Sequence, residues 1–300
     1  MGPWSYSCAG LQVASDLQIP EWAAFERPHS QRDADVIIAV NRDPRWHDPP
    51  AGSSAVTATD CAFRARGVAV YRVQHGRTIN VSVEPDADLR EVRLFLLGSA
   101  WGALCYQRGL LVLHASAVRT GDEAIAFCGL PGMGKSSTAA WLTTRGYSLI
   151  SDDLTRVAID PERGPVIYPA AARLKLWRDA LEALGWSERN LQRDRTRHEK
   201  FDLPLGGGIE AAPVRLRVIY LLEWGEPQIE RLTGRAALSR FVPAATYRRD
   251  LLEPMGHLGA YWRDCLDLMQ RVPVYTLRRQ RRLSAMEELV ALVEDHREVS

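Results

Sequence analysis

Lysine is almost missing from this chain: of 38 basic residues, only Lys135, Lys175 and Lys200 are lysines. A coding preference for arginine explains most of that imbalance. Where arginine is the default, however, a lysine marks a place suited to a compact ammonium rather than a planar fork. Lys175 and Lys200 are read either as phosphate or substrate contacts or as ordinary surface positions. Net charge is also lacking, at +1 over 300 residues, so nothing global points to nucleic acid or a membrane surface. No segment approaches eighteen uninterrupted apolar residues, and no basic stretch followed by an apolar core opens the chain. A soluble, cytoplasmic protein is expected on those grounds. Paired cysteine spacing is absent too. Cys8, Cys61, Cys105, Cys128 and Cys265 are scattered, odd in number and without a C-x-x-C, which argues against a zinc site or a disulfide framework. The 46% hydrophobic content suffices for one large core or two modest ones.

What is present falls into two parts. Residues 1–85 carry short apolar or alternating runs at 35–40, 61–73 and 78–83, separated by Pro/Gly/Asp-rich stretches. They predict a small β-rich N-terminal domain, with His75-Gly76 as a hairpin turn. A strong amphipathic helix from Leu89 to Cys105 follows, either linking the parts or belonging to the second. Residues 86–300 mix strands and helices. Strands are expected at Leu110–Val118, Ala124–Cys128, Tyr147–Ser151, Arg173–Trp177, Val214–Trp224 and Val274–Leu277, with a hairpin over 154–168. Helices are expected over 137–145, 236–252, 258–270 and 283–296. The polar, arginine-rich stretch 187–208 reads as a mobile loop over or beside a site. The fold class predicted is α/β.

The most specific motif is Gly-Leu-Pro-Gly-Met-Gly-Lys-Ser at 129–136, a complete G-x-x-x-x-G-K-[ST] phosphate loop. Gly129, Pro131, Gly132, Met133, Gly134, Lys135, Ser136 and Ser137 are the expected nucleotide contacts. Glycines let backbone N–H groups turn inward around a triphosphate, Lys135 reaches the β/γ oxygens, and the Ser136 hydroxyl ligates Mg²⁺. An apolar strand before the loop and a helix after it supply the required frame, the helix adding its positive N-terminal dipole. ATP and Mg²⁺ are the expected cofactors. Asp152-Asp153 ends the next short strand, sixteen residues beyond Ser136, where an α/β sheet returns the chain to its ligand edge. The pair is either a turn or helix cap, or two carboxylates that divide metal holding and proton acceptance. His114, inside the apolar run 110–118, is by itself a core histidine or a site residue.

Taken together, Leu113-His-Ala-Ser-Ala-Val, the phosphate loop and Arg145-Gly-Tyr-Ser-Leu-Ile-Ser-Asp-Asp resemble the catalytic core of the HPr kinase/phosphorylase family, over roughly residues 110–180. That core reads Leu-His, then GxxGxGKS, then RGxxLxxDD at matching spacing. The resemblance implies a P-loop kinase core of the HPr kinase and phosphoenolpyruvate carboxykinase type, and phosphorylation of a serine hydroxyl in a protein or peptide. It also implies Asp152 as general base, Asp153 and Ser136 as metal-associated residues, and His114 as a neighbour of the Asp pair. The chain departs from the family in lacking a Glu-Val-Arg-Gly-Leu-Gly segment, linked to phosphorylase action, after the Asp pair. In its place stand Arg173-Leu-Lys-Leu-Trp and His198-Glu-Lys-Phe-Asp, which offer Arg173, Lys175 and Lys200 as substrate or phosphate contacts. In layout the chain is more similar to the shorter kinases of this type found with peptide-modification systems, including those that phosphorylate lasso-peptide precursors. A ribosomally made precursor peptide bearing a serine is the partner this implies, with a homo-oligomer left open. The β-rich domain could offer a sheet edge to such a peptide. Arg271, Arg278, Arg279, Arg281 and Arg282 either suit an acidic peptide or second phosphate, or form a solvated face. The same motifs would serve a kinase for a small hydroxyl compound, or a nucleotide-binding regulator with negligible turnover.

Overall fold

The computed structural model describes residues 3–28, 34–41, 54–170, 173–189, 191–193, 199–204 and 211–299. The chain begins with seven strands: β1 (Trp4–Cys8), β2 (Leu11–Ser15), β3 (Val36–Asn41), β4 (Ser54–Val56), β5 (Asp60–Ala65), β6 (Ala69–Gln74) and β7 (Thr78–Val83). Helices α1 (Leu89–Phe95) and α2 (Trp101–Gln107) follow, continuous through a π-helical turn at Leu96–Ala100. Next come β8 (Val112–Leu113), β9 (Ala115–Thr120), β10 (Glu123–Cys128), α3 (Lys135–Thr144), β11 (Ser148–Ser151), β12 (Thr155–Asp160), β13 (Gly164–Tyr168) and β14 (Arg173–Trp177). The remainder is α4 (Arg178–Ala183), β15 (Gln192–Arg193), β16 (Lys200–Pro204), β17 (Val214–Trp224), β18 (Gln228–Arg231), α5 (Gly234–Ala245), α6 (Arg249–Leu252), α7 (Leu258–Arg271), β19 (Val274–Arg279) and α8 (Met286–Val299). This is a mixed α/β protein.

Two compact units emerge, Met1–Val112 with Tyr247–Asp264, and Leu113–Thr246 with Cys265–Ser300. The boundary read from sequence at 85/86 therefore falls inside the first unit, which keeps α1 and α2 and regains a segment from late in the chain. That unit holds one seven-stranded sheet in the order β1-β2-β3-β7-β6-β5-β4. His75 and Gly76 both take positive φ (54° and 59°) in the three-residue connection between β6 and β7, the left-handed pair a type I′ turn needs. Strand alternation buries Tyr71, Val73, Ile79 and Val81. Asp88 caps α1 by accepting the Arg90 N–H at 2.8 Å, and Arg93 ties that helix to Glu21 at 2.8 Å.

The second unit is built on a nine-stranded sheet, β11-β9-β10-β17-β13-β12-β8, with β19 and β18 branching from β17. β10 lies between β9, to which it is antiparallel, and β17, to which it is parallel. The eleven residues of β17 are long enough to pair with β13 near one end and with β19 along the other. β10 after Glu123 and the middle of β17, Val218–Leu222, read as unbroken apolar runs and are buried, the pattern of strands covered on both faces. Phe127 stacks on Tyr220 at 5.6 Å, and both join a buried cluster with Trp141 and Leu142 of α3 and Leu289 and Val293 of α8. A separate three-stranded sheet, β14-β16-β15, packs its Leu174, Leu176 and Phe201 into the same cluster.

Three further expectations change. The strand foreseen at 110–118 breaks at His114, whose N–H donates to the Ala245 carbonyl at 2.7 Å instead of to a ladder partner. The helix foreseen at 236–252 divides into α5 and α6. Pro243 removes one ladder donor, Thr246 turns extended (ψ 119°) while its hydroxyl bonds back to the Val242 carbonyl, and Arg248 is left-handed (φ 42°). The stretch 187–208 contributes strands β15 and β16; its residues 190, 194–198 and 205–208 lie outside the described residues. Phe127→Ala should cost about 3–5 kcal/mol of unfolding free energy, read as a drop in denaturant midpoint at unchanged slope.

Candidate phosphoryl-transfer site

The loop at 129–136 joins the end of β10 to the start of α3. Its conformation depends on glycine: Gly132 and Gly134 sit at φ 87° and 86°, a region costly for side chains with a Cβ. The Met133 N–H closes a turn on the Leu130 carbonyl at 3.1 Å. α3 then starts at Lys135, so its unbonded N–H groups open onto the loop. Lys135 is buried, and its Nζ donates to the Gly129 carbonyl at 2.7 Å and to that of Leu130 at 3.5 Å. The ammonium thus folds back over the loop. Burial pushes its pKa down, partly offset by charges that include both carboxylates of the Asp pair.

Asp152 is the junction of the site. Its Oδ1 accepts hydrogen bonds from Ser116 Oγ at 2.5 Å and Ser136 Oγ at 2.9 Å. Its Oδ2 accepts the Lys175 backbone N–H at 3.0 Å. Three elements, β9, α3 and β14, therefore meet on one carboxylate. Asp153 has a different environment. Lys175 Nζ lies 3.2 Å from its Oδ2 and His114 Nε2 lies 3.5 Å from its Oδ1. Its backbone is left-handed at φ 72°, a conformation costly outside glycine, though asparagine and aspartate tolerate it better than other residues. Burial works against its charge, but Lys175, His114 and Lys200 outweigh that and hold the carboxyl well below the usual range.

No family model matches the chain, and no curated protein matches it either. Among solved structures it is similar to the HPr(Ser) kinase/phosphatase from Coxiella burnetii, at 12% identity and TM-score 0.35 over 62% of this chain and 95% of that one. Likeness at that level decides neither the fold nor the chemistry. The site stands on its own residues.

Those residues include all three lysines of the chain. Lys135 closes the loop and Lys175 pairs with Asp153, while the Lys200 charge acts on both Asp153 and Lys135. Arg173 is drawn elsewhere, to Asp202 at 3.1 Å. Of the two residues that the resemblance implies are metal-associated, Ser136 bonds Asp152, whereas Asp153 faces Lys175 and His114. Pro131 and Gly132 are exposed, Met133 and Gly134 half-buried, and Ser137 is buried in the first turn of α3. Ser116 went unnoticed in the sequence, although it stands two residues after His114, the spacing that puts strand side chains on one face. An open depression lined by Arg119, Asp122, Glu162, Arg163 and Arg215 shares no residue with this cluster.

The arrangement fits a magnesium nucleotide. A glycine loop at a helix N-terminus and a desolvated lysine suit a polyphosphate. Among the described residues no three His, Cys, Asp or Glu side chains form a metal cage. One hydroxyl and nearby carboxylates are the kind of partial shell that Mg²⁺ completes with water and substrate phosphates. No helix among the described residues is long and apolar enough to cross a membrane.

Because the Asp153 carboxyl is depressed, it contributes stability above the unfolded carboxylate pKa, about 4, and loses it as pH falls through its folded value. Asp153→Asn should therefore be less stable than wild type at pH 7, with the gap narrowing toward pH 3. Denaturant melts at both pH values check this, and a gap that widens toward acid contradicts it.

Proposed function

We propose that the chain is a cytoplasmic ATP- and Mg²⁺-dependent kinase that transfers the γ-phosphoryl group to a serine hydroxyl of a peptide or protein. The acceptor we favour is a ribosomally made precursor peptide of the lasso type. The observation that carries the kinase reading is the convergence beside one glycine loop of Ser136 on Asp152 and of Lys175 and His114 on Asp153. A nucleotide site alone has no need of a second, separately oriented carboxylate. The precursor-peptide acceptor rests on the sequence motifs and the missing Glu-Val-Arg-Gly-Leu-Gly segment.

Roles follow from each group's surroundings. The loop N–H groups and Lys135 would hold the β and γ phosphates, and Ser136 with Asp152 would hold the metal side. Mg²⁺ would neutralise charge on the transferring phosphoryl oxygens. Asp152 already accepts three donors, whereas the Asp153 side chain is 34% exposed and open to an incoming hydroxyl. We therefore assign orientation of the acceptor serine to Asp153, exchanging the two roles that the resemblance implies. The serine oxygen forms its bond to phosphorus as the β–γ bridging bond breaks, and the serine proton passes to Asp153 and on to solvent. The low affinity of that carboxyl for a proton suits a transfer late in the reaction, after the oxygen has lost most of its basicity.

Mass spectrometry of serine peptides incubated with the protein, ATP and Mg²⁺ tests the reading, with the gain of one phosphoryl group expected. Asp153→Asn should lower kcat about 10²- to 10⁴-fold at an unchanged Mg²⁺ requirement. Asp152→Asn should raise the Mg²⁺ concentration needed by about 10- to 100-fold. Transfer only to small hydroxyl compounds would move the acceptor class, and nucleotide binding without any transfer would make the protein a regulator.

A further inference from the structure

Arg279 ends β19, beside the phosphate loop, and only 4% of it is exposed. Its Nη2 donates to the Met133 carbonyl at 3.1 Å, and its guanidinium carbon lies 4.3 Å from the centre of the Trp224 ring. Nη1 reaches the Gln280 carbonyl at 3.5 Å, and Nε, although buried, has no hydrogen-bond partner. Among the described residues no carboxylate pairs with it, whereas the other arginines of the second unit that carry a described ion pair are all half-buried or exposed. The contact is close enough to exclude a side chain at the loop: a Cβ on Gly134 would lie 2.0 Å from Nη2. Burial alone pushes this guanidinium down to about 10.

A buried cation without an anion is costly, and a chain keeps one where an anion arrives. The contact also orients the loop. Across a trans peptide the carbonyl and the following N–H point opposite ways, so drawing the Met133 carbonyl toward Arg279 turns the Gly134 N–H to the other face. We propose that Arg279 is a positioning residue of the phosphate loop: it sets the Met133–Gly134 peptide, and its charge is balanced only when a polyphosphate occupies the loop. This deepens the nucleotide reading of the same site and rests on it.

Thermal melts of Arg279→Met and Arg279→Gln, with and without inorganic tripolyphosphate or Mg·ATP, test the proposal. Removing an uncompensated charge should leave the ligand-free melting temperature level or raised. The ligand-induced shift should shrink, corresponding to about 10- to 100-fold weaker binding. The Gln variant, two bonds shorter than arginine, loses both the charge and the reach to the Met133 carbonyl, so its shift should shrink as that of Arg279→Met does. A wild-type-sized shift in either variant overturns the proposal. So does a steep fall in the ligand-free melting temperature of Arg279→Met, which would make the guanidinium a structural tie. If wild type itself shows no shift with either ligand, the nucleotide reading fails along with it.

Discussion

Asp152 accepts a hydroxyl from β9, a hydroxyl from α3 and a backbone N–H from β14, and the rest of the site depends on that three-way junction. Each bond to a charged acceptor is worth about 1.5–3 kcal/mol, but its larger consequence is geometric. The junction sets the helix that begins in the phosphate loop against the strand that follows His114. It also fixes the backbone of Lys175, whose side chain then reaches the neighbouring carboxylate. Asp153 in turn is held in a strained left-handed conformation, with a cation and a histidine on its two oxygens. Strain of this kind persists only where the surroundings over-determine it, and here Asp152, one residue earlier, is anchored to three elements.

The shortage of lysine acquires a physical meaning in that frame. An arginine at 135 would bring a wide planar fork into a loop whose carbonyls gather around one compact ammonium. Lys175 and Lys200 bring two more ammonium charges to the same place, and together they keep Asp153 ionised against the partial desolvation of its carboxyl. Arginine, by contrast, serves where a planar group can lie against an aromatic face, as Arg279 does on Trp224.

The legible parts of the sequence were those written in consecutive residues. The phosphate loop with its flanking strand and helix, the Asp pair after a short strand and the His75-Gly76 turn all rest on local backbone chemistry. What was hidden depends on partners distant in sequence. His114 breaks its strand because its N–H finds Ala245, about 130 residues away. The arginine-rich stretch after 187 looked like a loop because β15 and β16 become strands only by pairing with each other and with β14. Ser116 carried no motif of its own. Arg279 stood among several arginines, and only its burial against the loop separates it from its exposed neighbours.

The central claim is that these residues form a site for a magnesium nucleotide, and calorimetric titration of wild-type protein with Mg·ATP tests it most directly. Binding at one site per chain is the result predicted, weakened when Mg²⁺ is withheld and lost in Lys135→Met. Absence of binding, or binding indifferent to both Mg²⁺ and Lys135, would contradict the account.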